Sequence, residues 1–117
     1  MAKLTIYHNP RCSKSRETLA LIEAAGIEPE VVLYLDQPPA VADLERLVTL
    51  LGVEPLAIVR TKEALYKELG LDTKSLSRQE WLQTLHDHPK LIERPIVVKG
   101  KQAVIGRPPE NVQALLG

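Results

Sequence analysis

The chain has 117 residues, a length that fits one domain with a single apolar core. Hydrophobic residues make up 44% of the sequence and charged residues 26%, which is typical of a globular protein rather than a disordered one. Fifteen basic residues balance fifteen acidic ones, and this zero net charge argues against bulk binding of nucleic acid. We expect no membrane association either, since no apolar run approaches the ~20 residues of a spanning helix and the N-terminal residues turn polar too early for a signal peptide.

Cysteine and histidine usage limits the kinds of site that the sequence can form. Cys12 is the only cysteine, so no internal disulfide is possible, which fits a reducing compartment and predicts a cytoplasmic location. The three histidines, at positions 8, 86 and 88, are not accompanied by a second cysteine. We therefore expect no zinc site.

The first half of the chain predicts a β-α-β-α order. A β-rich run at 4–7 predicts the first strand, and residues 13–25 have apolar side chains at helical spacing. A second buried strand is predicted at 31–34, and two strands joined by one helix of this length are expected to be parallel. The amphipathic pattern at 41–51, followed by a glycine, predicts the next helix.

The second half predicts a helical insert followed by a hairpin. Short helical segments are expected at 55–59, 62–69 and 77–86, a hairpin at 96–99 and 102–105, and a closing helical stretch at 110–116. The chain is therefore predicted to form one α/β domain, residues 1–117. Its core is a four-stranded mixed sheet with flanking helices, and the helical insert spans about 40–90.

Cys12 lies between the first strand and the first helix, where open α/β sheets place their ligand crevice. A thiolate there faces a helix N-terminus, whose free N–H groups stabilise an anion. Ser13 can cap the helix, Ser15 can offer a hydroxyl to the sulfur, and His8 can lend a positive charge or a hydrogen bond. A buried structural thiol is the alternative, but the polar flanks disfavour it, and we interpret Cys12 as a nucleophile. Three nearby basic side chains are also expected to favour the anion: Arg11, Lys14 and Arg16.

Two familiar cysteine motifs are absent from this segment. Ser15 stands where a Cys-x-x-Cys motif would have its second thiol, so no dithiol couple can form within the chain. Arg16 follows Cys12 too closely for the phosphatase loop, which has five residues between its cysteine and its arginine. The sequence therefore predicts a single-thiol site.

Several segments resemble the glutaredoxin-coupled arsenate reductases, in the same order and at matching spacings over nearly the whole chain. They are HNPRCSKSR at 8–16, LYL at 33–35, the Pro38-Pro39 step, RPIV at 94–97 and GRPPE at 106–110. The resemblance implies a thioredoxin-like fold and reduction of arsenate to arsenite. In that family the cysteine attacks arsenic, glutathione resolves the adduct, and glutaredoxin completes the reduction. The resemblance thus implies that the chain binds no cofactor, uses glutathione as co-substrate and has glutaredoxin as its protein partner.

The same resemblance assigns roles to residues near the thiol. Cys12 is the implied nucleophile, and His8 and Ser15 match positions that support the thiolate. Pro95 is similar to the proline that, in thioredoxin-like folds, follows a cis peptide bond and faces the cysteine.

Three arginines are implied to hold the oxyanion: Arg60, Arg94 and Arg107. Guanidinium groups suit this role because their paired N–H donors match the oxygens of a tetrahedral oxyanion. Arg94 and Arg107 flank the predicted hairpin, so both can reach one edge of the sheet. Arg60 follows an apolar run in the insert, and each arginine has the alternative of being a solvated surface charge.

The family resemblance leaves the exact activity open. The chain resembles a short branch of the family without the C-terminal helical tail, and Gly106 stands where some members carry another cysteine. One alternative is a thiol oxidoreductase of the same fold that acts on another oxyanion or on a glutathione-linked substrate. Another is a non-enzymatic regulator that binds RNA polymerase. Such regulators commonly carry the Cys-x-x-Cys switch that Ser15 precludes, and the three arginines favour catalysis.

Overall fold

A four-stranded sheet is the framework that holds Cys12. In the computed structural model, which describes residues 3–116, the strands are β1 (Leu4–His8), β2 (Glu30–Leu33), β3 (Ile96–Lys99) and β4 (Gln102–Ile105). Their spatial order is β2-β1-β3-β4. β1 is parallel to β2 and antiparallel to β3, and β3 and β4 form a hairpin. The predicted mixed sheet, with its one parallel pair, is confirmed.

Helix α1 (Ser13–Ala24) joins β1 to β2. It ends because Gly26 adopts a left-handed conformation with φ of 79°, and the Gly26 N–H donates to Glu23 O over 3.0 Å. The buried side chains that pack together here come from β1, α1, β3 and a 3₁₀ segment, Pro109–Leu115: Leu4, Ile6, Ile22, Val97, Val112 and Leu115. This packing fixes α1 against the sheet, and so fixes the point where the helix begins.

The described chain divides into two compact units, and the second runs from Pro38 to Glu93. Its helices are α2 (Val41–Leu51), α3 (Ala64–Glu68) and α4 (Arg78–Asp87), with 3₁₀ segments at Pro55–Ile58, Leu71–Thr73 and Pro89–Leu91. α2 packs against α4, and Ser77 and Glu80 form the expected capping box, in which each side chain accepts the other's backbone N–H. Within residues 3–116, no helix is both long and apolar enough to cross a membrane.

Three segments differ from the predicted elements. Residues 55–59 and 110–116 were expected to be helical and form 3₁₀ segments, Pro55–Ile58 and Pro109–Leu115, each of which begins with a proline. Tyr34 was expected to end the second strand, yet the strand stops at Leu33. The Leu33 carbonyl there accepts the N–H groups of Asp36 and Gln37, which turns the chain. The prediction of one domain with an insert stays a prediction.

The strand directions bring four chain segments to one edge of the sheet. β1, β2 and β4 end at this edge, and β3 begins there, because β3 is antiparallel to β1 and to β4. The loop to Cys12, the turn at Tyr34, the Arg94–Pro95 step and the Gly106–Arg107 step therefore lie at the same edge. Both Arg94–Pro95 and Arg107–Pro108 are cis peptide bonds, the first of which the resemblance implies.

Gly106 is tightly enclosed at this edge. Its N–H donates to Pro95 O over 2.9 Å, which ties the end of β4 to the start of β3. A Cβ atom at position 106 would lie 2.6 Å from Thr18 Oγ1 and 2.8 Å from Pro95 Cγ. The cysteine that the resemblance implies for some family members at this position has no room here without movement of α1 or of Pro95.

We expect Gly106→Ala to lower the free energy of unfolding by about 1–3 kcal/mol, the usual effect of overpacking. Denaturant unfolding of the purified variant measures it. The double variant Gly106→Ala/Thr18→Ala removes two of the three nearest atoms, Thr18 Oγ1 and Cγ2, and leaves Pro95 Cγ, so its loss of stability should be less than the sum of the two single losses. A single variant within about 0.5 kcal/mol of the wild type would contradict the packing argument.

Candidate active site

The turn between β1 and α1 positions Cys12 through its own backbone. The Cys12 N–H donates to Asn9 O, and the Arg11 N–H donates to Asn9 Oδ1, each over 3.0 Å. Asn9 thus closes the turn with both its backbone and its side chain, as asparagine commonly does. The Arg16 N–H donates to Cys12 O over 3.0 Å, so Cys12 itself is the N-cap of α1. The predicted cap, Ser13, is instead the first helical residue.

The Cys12 sulfur lies at the start of α1 and is surrounded by hydrogen-bond donors. The residue is 8% exposed. Burial alone would raise the pKa of the thiol, but the backbone N–H groups of Ser15 and Lys14 and the guanidinium of Arg94 bond to the sulfur and bring the net pKa below its ordinary value. Thiolate formation is thus favoured by the N-terminus of α1 and by Arg94, which is distant in sequence.

The basic neighbours in sequence make other contacts. Arg16 donates from Nη1 to Pro10 O over 2.9 Å, and Lys14 pairs with Glu17 at 3.8 Å. Arg11 is exposed. The structure therefore assigns the lowered thiol pKa to the two backbone N–H groups and to Arg94, rather than to the three basic side chains that the sequence suggested.

His8, Asn9 and Ser15 form a buried hydrogen-bonded group beside the thiol. His8 Nδ1 lies 2.7 Å from Ser15 Oγ, which also accepts the Asn9 N–H over 3.0 Å. Burial, and then the positive charge of Arg16, lower the pKa of His8. A lowered pKa means that His8 is neutral at neutral pH. Of the two roles expected for His8, the structure therefore favours the hydrogen bond over the positive charge. The Ser15 hydroxyl is engaged by His8 and Asn9, and the Ser15 backbone N–H bonds to the sulfur.

Arg94 and Arg107 converge on the sulfur from the two ends of the hairpin. Arg107 donates from Nη2 to Cys12 Sγ over 3.5 Å and from Nε to Arg94 O over 2.8 Å. The half-buried Arg94 makes its own side-chain hydrogen bond to Cys12. Burial disfavours the charge on Arg94, but its interactions with Cys12 and with Tyr34 together outweigh burial and raise the pKa of the guanidinium above its ordinary value. Both arginines thus lie next to the Cys12 sulfur.

Arg60 belongs to the second unit. Its N–H donates to Leu91 O, and the Glu93 N–H donates to Ile58 O, each over 2.7 Å, which sets the Arg60 and Glu93 side chains next to each other. Arg60 Nη1 pairs with Glu93 at 3.1 Å, and Arg60 Nε pairs with Glu63 at 3.8 Å. Of the six residues proposed from the sequence, five lie together around the sulfur, and the oxyanion role of Arg60 stays a prediction.

Two residues of the site were not identified from the sequence. Asn9 shapes the turn, and an asparagine before a proline after a strand is a known turn pattern that could have indicated it. Tyr34 is fully buried and is one of the causes that raise the pKa of Arg94, an effect that no local pattern predicts. Within residues 3–116, no three His, Cys, Asp or Glu side chains form a cluster that could hold a metal ion.

Comparison with known proteins gives this geometry a family. The model of the ArsC family matches residues 7–115. The chain is 48% identical to an arsenate reductase of Neisseria meningitidis, over 99% of this chain and 100% of that protein, and 50% identical to one of Haemophilus influenzae, over 95% and 97%. A solved arsenate reductase structure from Vibrio cholerae is 54% identical, covers 97% of each chain and superimposes with a TM-score of 0.93. The α/β, thioredoxin-like fold class is thereby confirmed, and the chain belongs to the ArsC family.

Proposed function

We propose that this protein is an arsenate reductase that acts through a covalent adduct on Cys12. The observation that carries the proposal is the placement of two guanidinium groups, Arg94 and Arg107, against a sulfur whose pKa is lowered. A thiolate supplies the nucleophile, and the arginines supply donors for the oxygens of a tetrahedral oxyanion. The relatives that are named arsenate reductases support arsenate as that oxyanion.

The first step forms a sulfur–arsenic bond. The Cys12 thiolate attacks arsenic, and one arsenate oxygen leaves as water after taking up protons. Arg94 and Arg107 hold the remaining oxygens and balance the negative charge that builds up during attack. The neutral His8 and the Ser15 hydroxyl keep the turn and the first helical amides in place around the sulfur. Following the family resemblance, Arg60 is proposed as a third donor to the oxyanion.

The reduction itself needs a thiol from outside the chain. Reducing arsenate to arsenite takes two electrons, which two thiols supply as they join in a disulfide. Cys12 is the only thiol of this chain, so it cannot complete the reaction alone. We propose that the glutathione thiol attacks the Cys12 sulfur of the adduct. The sulfur–arsenic bond breaks with its electron pair staying on arsenic, so arsenite leaves and a Cys12–glutathione disulfide remains. A glutaredoxin thiol then takes up the glutathionyl group and frees Cys12. The overall change is one arsenate and two thiols to one arsenite, one disulfide and water.

No tightly bound cofactor is required by this scheme, since every electron comes from thiols. The proposed site of action is the cytoplasm, because a free thiolate and a glutathione pool both depend on a reducing compartment.

A coupled assay tests the proposal. NADPH consumption is followed with arsenate, glutathione, glutaredoxin and glutathione reductase, and each component is omitted in turn. We expect turnover that requires all of them, and none with Cys12→Ser, because an alcohol at its ordinary pKa is a poor nucleophile. Turnover by Cys12→Ser would rule out the covalent-sulfur mechanism. Activity without glutaredoxin would rule out that partner and leave the adduct chemistry standing.

Arg94→Lys and Arg107→Lys test the oxyanion donors. Lysine keeps the charge but cannot present two parallel N–H donors, so kcat/KM should fall by roughly 100- to 1,000-fold, or about 2.7–4 kcal/mol. Arg78→Lys is the matched control, because Arg78 is an exposed arginine that pairs with Glu45 in the second unit. If both site variants stay within about twofold of the wild type, the two arginines do not hold the oxyanion.

The pH dependence of Cys12 labelling tests the lowered pKa. Iodoacetamide reacts with the thiolate, so the midpoint of the rate against pH reports the pKa of Cys12. We expect it below the ordinary thiol value, and we expect arsenate, sulfate or phosphate to raise it, because the anion competes for Arg94 and adds negative charge. A midpoint at or above ~8.5 that no oxyanion changes would contradict both the activated thiol and the shared site.

A further inference from the structure

The loop that carries Arg107 is held by Asn111, a side chain that the reaction scheme above does not use. Asn111 lies four residues after Arg107, in the 3₁₀ segment Pro109–Leu115. Its Nδ2 donates to Ile105 O and to Arg107 O, each over 3.1 Å. A side-chain amide has two N–H donors, so one asparagine can bond to both carbonyls. The amide thus spans the backbone on either side of Gly106.

The Asn111 side chain is itself anchored by the packed core. Val112, the next residue, and Leu115 are buried in the cluster that also contains Ile22 of α1. The Asn111 N–H donates to Pro108 O over 3.0 Å, which fixes the first turn of the segment. The backbone of Asn111 is therefore tied to the same core that fixes the start of α1.

A second set of hydrogen bonds leads from this loop to the sulfur. The Ile105 carbonyl accepts the Arg107 N–H over 2.9 Å, so it receives both Arg107 and Asn111. The Arg107 side chain donates from Nε to Arg94 O over 2.8 Å and from Nη2 to Cys12 Sγ over 3.5 Å. A shift of the Arg107 backbone would move the guanidinium away from both of these acceptors.

We propose that Asn111 is a positioning residue of the active site, whose side-chain amide fixes the loop so that the Arg107 guanidinium lies against the Cys12 sulfur and the oxyanion. This inference rests on the proposed function of Arg107. Glycine restricts its own backbone less than any other residue, so the two bonds that span Gly106 restrict the loop where its own side chain cannot. Fixing the donor before the oxyanion arrives lowers the entropic cost of binding, and a displacement of about 1 Å can cost roughly 100-fold in rate.

A neutral amide suits this role better than a charged side chain. The two carbonyl oxygens only accept hydrogen bonds, and so does an ionised carboxylate, which therefore could not hold them. The amide carries no charge, so it holds the loop without compensating the positive charge of Arg107. The Asn111 side chain is exposed, so it can be replaced without leaving a cavity in the core.

Asn111→Ala removes both side-chain hydrogen bonds and tests the proposal. Gln113→Ala is the matched control, since Gln113 is an exposed amide side chain of the same 3₁₀ segment. We expect Asn111→Ala to lower kcat/KM for arsenate by about tenfold, with part of the loss in KM. It should also raise the midpoint of Cys12 labelling, because Arg107 donates to the sulfur. Gln113→Ala should change neither, and wild-type kinetics and labelling in a folded Asn111→Ala protein would overturn the proposal.

A double-variant cycle with Arg107→Lys separates positioning from a merely structural role. If Asn111 acts through Arg107, adding Asn111→Ala to Arg107→Lys should lower kcat/KM by less than about twofold further. Two losses that simply multiply would contradict the proposal. Asn111→Ser is the second variant should the alanine protein not fold. Its single hydroxyl donor cannot bond to both carbonyls, so it should show the same losses to a smaller degree.

The labelling arm distinguishes this inference from the proposed function. It uses iodoacetamide alone, and it needs no arsenate turnover. If the wild-type protein fails to reduce arsenate but Asn111→Ala still raises the labelling midpoint, the positioning role stands and the substrate assignment falls. If arsenate is reduced and Asn111→Ala leaves both labelling and kcat/KM unchanged, the positioning role falls and the proposed function stands.

Discussion

The interaction of the Cys12 sulfur with the first turn of α1 is the one on which the rest of the site depends. The backbone N–H groups of Ser15 and Lys14, which a helix start leaves without intrahelical partners, lower the pKa of the thiol. Their direction is set by where the helix begins, and the Asn9 turn and the packing of Ile22 on the sheet fix that point. The anion-stabilising part of the site is therefore a property of the fold rather than of any one charged side chain.

The two kinds of donor around the sulfur have different roles in a reaction. The backbone amides stay in place throughout, whereas Arg94 and Arg107 can also bond to an arriving oxyanion. When they do, the thiolate loses part of its stabilisation at the moment when it has to attack. Because the nucleophilicity of a thiolate falls as its pKa falls, this exchange makes the sulfur more reactive once the substrate is bound.

Patterns within single segments predicted most of the fold and part of the site. Periodic apolar residues indicated β1, α2 and the β3–β4 hairpin, and the Ser77 capping box is a local pattern that the structure contains. The influence of Tyr34 on the pKa of Arg94 joins residues sixty positions apart in sequence, and strand pairing brings their segments to one edge of the sheet. The pKa of the Cys12 thiol likewise depends on a residue distant in sequence, Arg94, and on helix amides, rather than on the adjacent basic residues.

The way each arginine is held decides what it can offer an oxyanion. Arg60 is half-buried between Glu63 and Glu93, so an oxyanion would have to share it with two carboxylates that already compensate its charge. Arg107 instead donates to the backbone carbonyl of Arg94 and to the Cys12 sulfur. A backbone carbonyl orients a guanidinium without cancelling its charge. In the proposed reaction, Arg107 is thus oriented by a neutral group where it faces the sulfur, whereas Arg60 would divide its charge between the oxyanion and two carboxylates.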